Sequence, residues 1–355
     1  MHSGNSQAFL SLVRLGIGHQ ARPCEAYDWA SIKSLADNQG LSAIVLDAIE
    51  KLPNDKRPPQ GFLLNWIGEV LQAYEQRYTQ YTRVISEMAS FYNNHGYKMM
   101  VLKGYACSLN WSKPEHRPCG DIDIWQFGDQ KEADGALKEK GIAVDTSHHH
   151  HTVFIWKGFS VENHYDFINV HHHKSNVELE NILKELGQDD SHCIDVLGNK
   201  VYLPSPNLHA LFLVRHTLSD FAATNVTIRQ LLDWAFFVQK YTDVIDWKWL
   251  KGTIDQFGMT SLYNAFNAIC VEDLGFESSI FNYIQFDPLL KERVLKEIIA
   301  PTFPIEKPKH FFTRIVWKWR RWRANEWKHQ LVYKESMWSA FWSGVWNHLL
   351  KPASI

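Results

Sequence analysis

Two neighbouring stretches, Met99-Met-Val-Leu-Lys-Gly104 and Gly120-Asp-Ile-Asp-Ile-Trp125, decide how this chain reads. The first is an apolar run of strand length that ends in Lys103-Gly104, after which residues 105–110 read as a short helix. The second reads as a strand in which Asp121 and Asp123 project from one face, ~6.5–7 Å apart along the backbone. Ile122 and Ile124 then point the other way, into a core. An Asp-x-Asp by itself is a weak signal, because many strand ends carry one as a solvated edge. Here Gly120 allows a close backbone approach, and the strand–Lys-Gly–helix unit comes just before. Two carboxylates this close repel each other unless a cation lies between them. Hard divalent ions such as Mg²⁺ are held by one or two carboxylates together with substrate phosphates, the chemistry of a two-metal phosphoryl or nucleotidyl transfer site.

A third acid follows in Phe159-Ser-Val-Glu-Asn-His-Tyr165, where Glu162 and His164 alternate with Val161 and Asn163. The order is strand, glycine and helix, then an Asp-x-Asp strand, then a strand with one acid. It resembles the polymerase-β-like nucleotidyltransferase superfamily. Within it, Leu102-Lys103-Gly104, Arg117, Gly120-Asp121-Ile122-Asp123 and Glu162-x-His164 resemble an uncharacterised bacterial nucleotidyltransferase family, over about residues 96–240. The resemblance implies Mg²⁺-dependent transfer of a nucleoside monophosphate from a nucleoside triphosphate to an acceptor that the sequence does not identify. Asp121 and Asp123 would hold two Mg²⁺ ions, and Glu162 the one that activates the acceptor. Lys103 and the backbone amides of Gly104-Tyr105 would receive the triphosphate. Arg117 is a further phosphate candidate because its fork suits phosphate oxygens. His164, on the face of Glu162, would orient that carboxylate or a phosphate. The wider superfamily has Gly-Ser or Gly-Gly where this chain has Gly104-Tyr105, so the serine contact is absent. Without a metal, Lys103 or Arg117 would instead pair with Asp121 or Asp123.

The 355-residue chain carries 37 basic and 39 acidic residues, so any basic patch for nucleic acid must be local. Its five cysteines are scattered and without a Cys-x-x-Cys pair, which argues against structural zinc and a disulfide framework. The N-terminus lacks a signal-peptide pattern and there is no run of ~18 apolar residues, so the expectation is a cytoplasmic protein, peripheral at most to a membrane.

Composition divides the chain into helical residues 1–95, an α+β catalytic core at 96–205 with a mixed sheet and flanking helices, and a helical region at 206–355. Asp28 is a candidate N-cap. Residues 62–93 read as one long amphipathic helix, with Phe62, Trp66, Val70, Tyr74, Tyr78, Tyr81, Ile85, Met88 and Phe91 on a core-facing stripe and a glycine cap at Gly96. Arg229 and Asp233 stand at i,i+4, with a structural role expected for Asp233 beside Arg229 or His216. Of the 18 histidines, His148–His151 and His171–His173 are contiguous. Neighbours in a strand face opposite ways, so each run reads as a solvated loop, with a transition-metal site as the alternative.

Between Lys307 and Lys334 stand nine Lys or Arg and one acid, Glu326, interleaved with Trp317, Trp319, Trp322 and Trp327. Trp338, Phe341, Trp342, Val345, Trp346 and Leu349 follow as an amphipathic stripe. Such a segment packs on the N-terminal helices, rests on an anionic membrane, or tracks nucleic acid. A binding or scaffold protein on the same fold is the rival to an enzyme throughout, because fold alone does not establish turnover.

Overall fold

A computed structural model describes residues 4–148, 150–170, 173–282, 285–303, 308, 310–334, 336 and 338. Helices α1 (Gly4–Gly16), α2 (Trp29–Gln39), α3 (Ser42–Lys51), α4 (Gln60–Val70) and α5 (Arg77–Asn94) come first. The sheet region follows as β1 (Met100–Val101), α6 (Tyr105–Ser108), β2 (Ile122–Trp125), α7 (Gln130–Glu139), β3 (Val144–Asp145), β4 (His151–Trp156), β5 (Phe159–His164), α8 (Lys174–Leu186), β6 (Cys193–Val196) and β7 (Asn199–Tyr202). Helices α9 (Pro206–Ala223), α10 (Ile228–Tyr241), α11 (Trp247–Gln256), α12 (Thr260–Glu272), α13 (Pro288–Ile299), α14 (Phe311–Ala324) and α15 (Glu326–Gln330) complete the α+β chain.

The chain forms two compact units. The first gathers residues 1–70, 214–243 and 247–337, and it is helical. The second, residues 71–213 with 244–246, holds the sheet. In the first unit, Asp28 caps α2 by accepting from the Ser31 amide at 3.2 Å, as its position before Trp29 predicts. Buried Gln39 joins three segments there: its amide nitrogen donates to the Ile298 carbonyl and its oxygen accepts from the Ile228 amide, at 3.1 and 2.8 Å. His216 pairs with Asp220 at 3.0 Å.

The C-terminal tryptophans divide. Trp317 is buried near Phe303, and Trp327 lies edge-on to Phe221 with the Arg293 guanidinium 3.7 Å above its ring. Lys328, 1% exposed, is held by Glu297 at 2.8 Å. This packing is thus against C-terminal helices. Trp319 and Trp338 are exposed, and the expected stripe from Phe341 to Leu349 lies outside the described residues.

In the second unit a seven-stranded sheet runs in the order β3-β4-β5-β2-β1-β7-β6. The β2–β5 and β1–β7 pairs are parallel and the rest antiparallel. Alternation along β2 sends Ile122 and Ile124 to one face, where they join Tyr81, Ile85, Met88 and Tyr92 of α5 and Val161 of β5 in the core. Each such side chain, fully buried, contributes about 1.5–3 kcal/mol. The other face of β2 carries Asp123 and Trp125, whose ring packs on Phe167 at 4.3 Å. The helix expected over 62–93 is α4 and α5 joined by a π-helical stretch, Leu71–Gln76. Its single apolar stripe serves two cores, with Trp66 and Val70 buried in the first unit and Tyr81, Ile85 and Met88 in the second. Gly96, at φ +82°, ends α5 as the sequence predicts.

Candidate functional site

The site is assembled by strand register. Parallel pairing of β2 with β5 sets Asp123 opposite Glu162, and alternation puts His164 on the same face two residues on. Antiparallel pairing of β4 with β5 sets His151 opposite His164. Lys103 enters from the turn after β1, whose chain is held to β2 by the Leu102 amide donating to the Asp123 carbonyl at 3.0 Å. The result is a convergence on one buried carboxylate. Asp123 Oδ1 accepts from Lys103 Nζ at 2.8 Å and from His164 Nε2 at 3.0 Å. His164 Nε2 is also 3.5 Å from Glu162 Oε2, and its Nδ1 donates to the Asp166 carbonyl at 3.2 Å. His151 Nε2 stands 4.0 Å from Glu162 Oε1.

These contacts set the protonation states. Burial opposes charge on Asp123, but Lys103 and His164 outweigh it and hold the carboxyl well below its usual range. Burial likewise opposes charge on His164, yet its hydrogen bonds to Asp123 and Glu162 raise the imidazole above its ordinary value. The hydrogen bond from His164 lowers Glu162, against the effect of its burial. His150 and His151 move the other way, to about 3 and about 4, chiefly through burial. Repulsion from neighbouring imidazoles adds to this, so both stay neutral near pH 7.

The sequence candidates are placed unequally. Asp123, Glu162 and His164 bring one ligand atom each to within 4.8 Å of one another, a group able to hold a metal ion. Asp121 is exposed and borders this group. Partial burial, then the charges of Glu162 and Asp123, raise its carboxyl, against a hydrogen bond from Ser160. Its backbone carbonyl accepts from the Tyr81 hydroxyl at 2.9 Å. Gly104 sits at φ +53°, where a Cβ would come 2.6 Å from that hydroxyl, so glycine is required by both conformation and space. Gly120, by contrast, has no atom within 4 Å of where a Cβ would stand, so close backbone approach does not explain it.

The helix expected over 105–110 is only α6, four residues long, and the ring of Tyr105 joins the core beside Tyr78 and Tyr81. Only its backbone can face a ligand. Arg117 is buried, donates to the Pro118 carbonyl at 3.2 Å, and its charge is felt at Tyr81 and Cys119.

Two neighbours were not singled out by the sequence reading. His151 belongs to β4 and is buried, not in a solvated loop, and His150 packs edge-on against it at 4.3 Å. Two carboxylates and an imidazole, with Asp121 alongside, form a donor set that fits a divalent cation.

The solved structure of an antigenic nucleotidyltransferase-like protein from Paracoccidioides brasiliensis is similar to 57% of this chain and 96% of its own, at 13% identity and a TM-score of 0.35. No curated protein matches the chain. The profile of a family described as "uncharacterised nucleotidyltransferase" matches residues 25–273, well over half of the sequence. On that match, the chain belongs to the uncharacterised nucleotidyltransferase family.

Proposed function

We propose that this protein transfers a nucleoside monophosphate from a nucleoside triphosphate to an acceptor hydroxyl or phosphate, with divalent metal bound by the strand carboxylates Asp123 and Glu162 and bordered by Asp121. The observation that carries this reading is the parallel register that sets Asp123 against Glu162 inside a family of nucleotidyltransferases. In the reaction the acceptor oxygen bonds to the α-phosphorus, the bond from that phosphorus to the bridging oxygen breaks, and pyrophosphate leaves. Bound Mg²⁺ or another divalent ion supplies charge neutralisation on the phosphates. Lys103, at the rim of the cluster, exchanges Asp123 for a phosphate oxygen of the triphosphate. His151, neutral near pH 7, is placed to take the acceptor's proton.

The test is titration with Mg²⁺ and each of the four nucleoside triphosphates, followed by mass spectrometry of the protein and of added cell extract. A nucleotidylated product confirms the reading and names the acceptor. A folded protein that binds no nucleotide at any metal concentration overturns it. That outcome favours a scaffold in which Lys103 and His164 serve only to neutralise Asp123.

The exposed cations Arg314, Lys318, Arg320 and Arg323 of α14, with exposed Trp319 among them, also suit an anionic membrane surface. Flotation with anionic liposomes should be lost in Arg314→Glu plus Lys318→Glu. Unchanged flotation, or none in the parent protein, removes this partner.

A further inference from the structure

Mg²⁺ is the ion that two strand carboxylates alone would predict, but this cluster holds a nitrogen donor at its centre. His164 Nε2 is 3.0 Å from Asp123 Oδ1 and 3.5 Å from Glu162 Oε2. For an ion with bonds of about 2.1 Å, adjacent ligands of an octahedron stand about 3.0 Å apart, so these separations are those of neighbouring ligands on one ion. His164 is buried and carried by a central strand. Its Nδ1 faces the Asp166 carbonyl at 3.2 Å, the arrangement that makes Nε2 the lone-pair nitrogen once the proton it donates to Asp123 is displaced by the ion. A second imidazole stands just outside: His151 Nε2 is 4.0 Å from Glu162 Oε1, and its buried Nδ1 has no hydrogen-bond partner among the described residues. Oxygen donors suit Mg²⁺, whereas imidazole favours first-row transition ions.

We infer that His164 is a metal ligand and that the site favours first-row transition divalent ions, for which Mn²⁺ serves as the paramagnetic probe, over Mg²⁺. The inference deepens the reading above, from which it takes the two strand carboxylates as ligands. Lys103 competes with the ion for Asp123 Oδ1, so the metal-free contact at 2.8 Å must open as the ion enters. Lys103→Gln should accordingly bind Mn²⁺ more tightly than the parent chain in the absence of nucleotide.

The experiment is pulsed electron paramagnetic resonance of the full chain loaded with Mn²⁺ alone, with calorimetric titration of Mn²⁺ and Mg²⁺. The expected result is a ¹⁴N coupling of imidazole type that persists in His151→Gln and is lost in His164→Gln. Mn²⁺ affinity should fall roughly 10–100-fold in the latter. The parent-chain spectrum needs no variant, so a poorly folded His164→Gln does not weaken the test. Bound Mn²⁺ without nitrogen coupling, a coupling that depends on His151 alone, equal Mn²⁺ and Mg²⁺ affinities, or no Mn²⁺ binding each overturns the inference. Nucleotidyl transfer with Mg²⁺ but without nitrogen coupling would leave the reaction standing and remove only the ligand. Nitrogen coupling without any nucleotide binding would do the reverse.

Discussion

Strand β5 meets a buried aspartate on each of its faces, Asp134 of α7 and Asp123 of β2, and their surroundings are opposite. On one face Asn163 donates to Asp134 Oδ1 at 2.8 Å, while Thr152 and Tyr165 donate to Oδ2 at 2.9 and 2.6 Å. Asp134 is thus satisfied entirely by neutral donors, and the Asn163 amide also reaches the Gln130 carbonyl at the start of α7. On the other face Asp123 is met by a lysine and a histidine, and a second carboxylate, Glu162, stands beside it. In the first cluster both oxygens of Asp134 have found partners within the chain, and these hydrogen bonds tie β4, β5 and α7 together. The second concentrates charges that a ligand can exchange: a cation can replace Lys103 and the proton on His164, and phosphate can take Lys103. One residue of alternation separates a strut from a site.

The largest effect that tests this contrast is on metal binding. Asp123→Asn should weaken Mn²⁺ affinity by roughly 100-fold or more by titration calorimetry, since it removes a ligand and not merely a group that orients one. Asp134→Ala should leave that affinity within about twofold but cost about 2–4 kcal/mol in urea unfolding, because buried Thr152 and Asn163 and half-buried Tyr165 lose a common acceptor. If the two variants exchange these phenotypes, the assignment of strut and site is reversed.

Gly104→Ala should cost about 1–3 kcal/mol, since alanine resists φ +53° and its Cβ meets the Tyr81 hydroxyl. Adding Tyr81→Phe should recover part of the loss in the same unfolding assay, and no recovery would place the whole cost in the backbone.

The smallest effect is on the pH dependence of metal-free stability. His164 has a raised folded value, so its contribution is fully present below 6.5 and is lost as pH rises through that value. His150 and His151 have folded values of about 3 and about 4. The unfolded chain therefore takes up protons first, and stability falls as pH drops from 6.5 toward those values. Melting temperature followed against pH should peak near neutrality. His164→Gln should flatten the alkaline side.

The sequence reading reached those parts of the site that follow from alternation. Asp-x-Asp and Glu-x-His each declare one shared face, and the apolar residues between them declare the opposite core. It could not rank Asp121 against Asp123, because exposure at the strand's first residues depends on where pairing begins, and β2 starts only at Ile122. It could not place His151, since four consecutive histidines carry no parity of their own. Only the pairing of β4 with β5 sets that ring across from His164. The short β6, Cys193–Val196, went unread because its alternation is weak and it lies at the sheet's edge. The stripe from Phe62 to Phe91 was legible as a buried face, but nothing in its spacing says that one helix face feeds two cores.

Gln39 forms its hydrogen bond with a residue 259 positions further along the chain. During synthesis at about 5–20 residues per second, that partner emerges tens of seconds after the first helices. The sheet-bearing residues 71–213 are completed in the interval and can fold as an unbroken segment. The N-terminal helices, with Phe9, Leu12, Val13 and Ile44 buried in the finished fold, complete their unit only once residues 214–337 have followed. The fold therefore carries a period of exposure written into its chain order, during which protection by a chaperone would matter most for the first 70 residues.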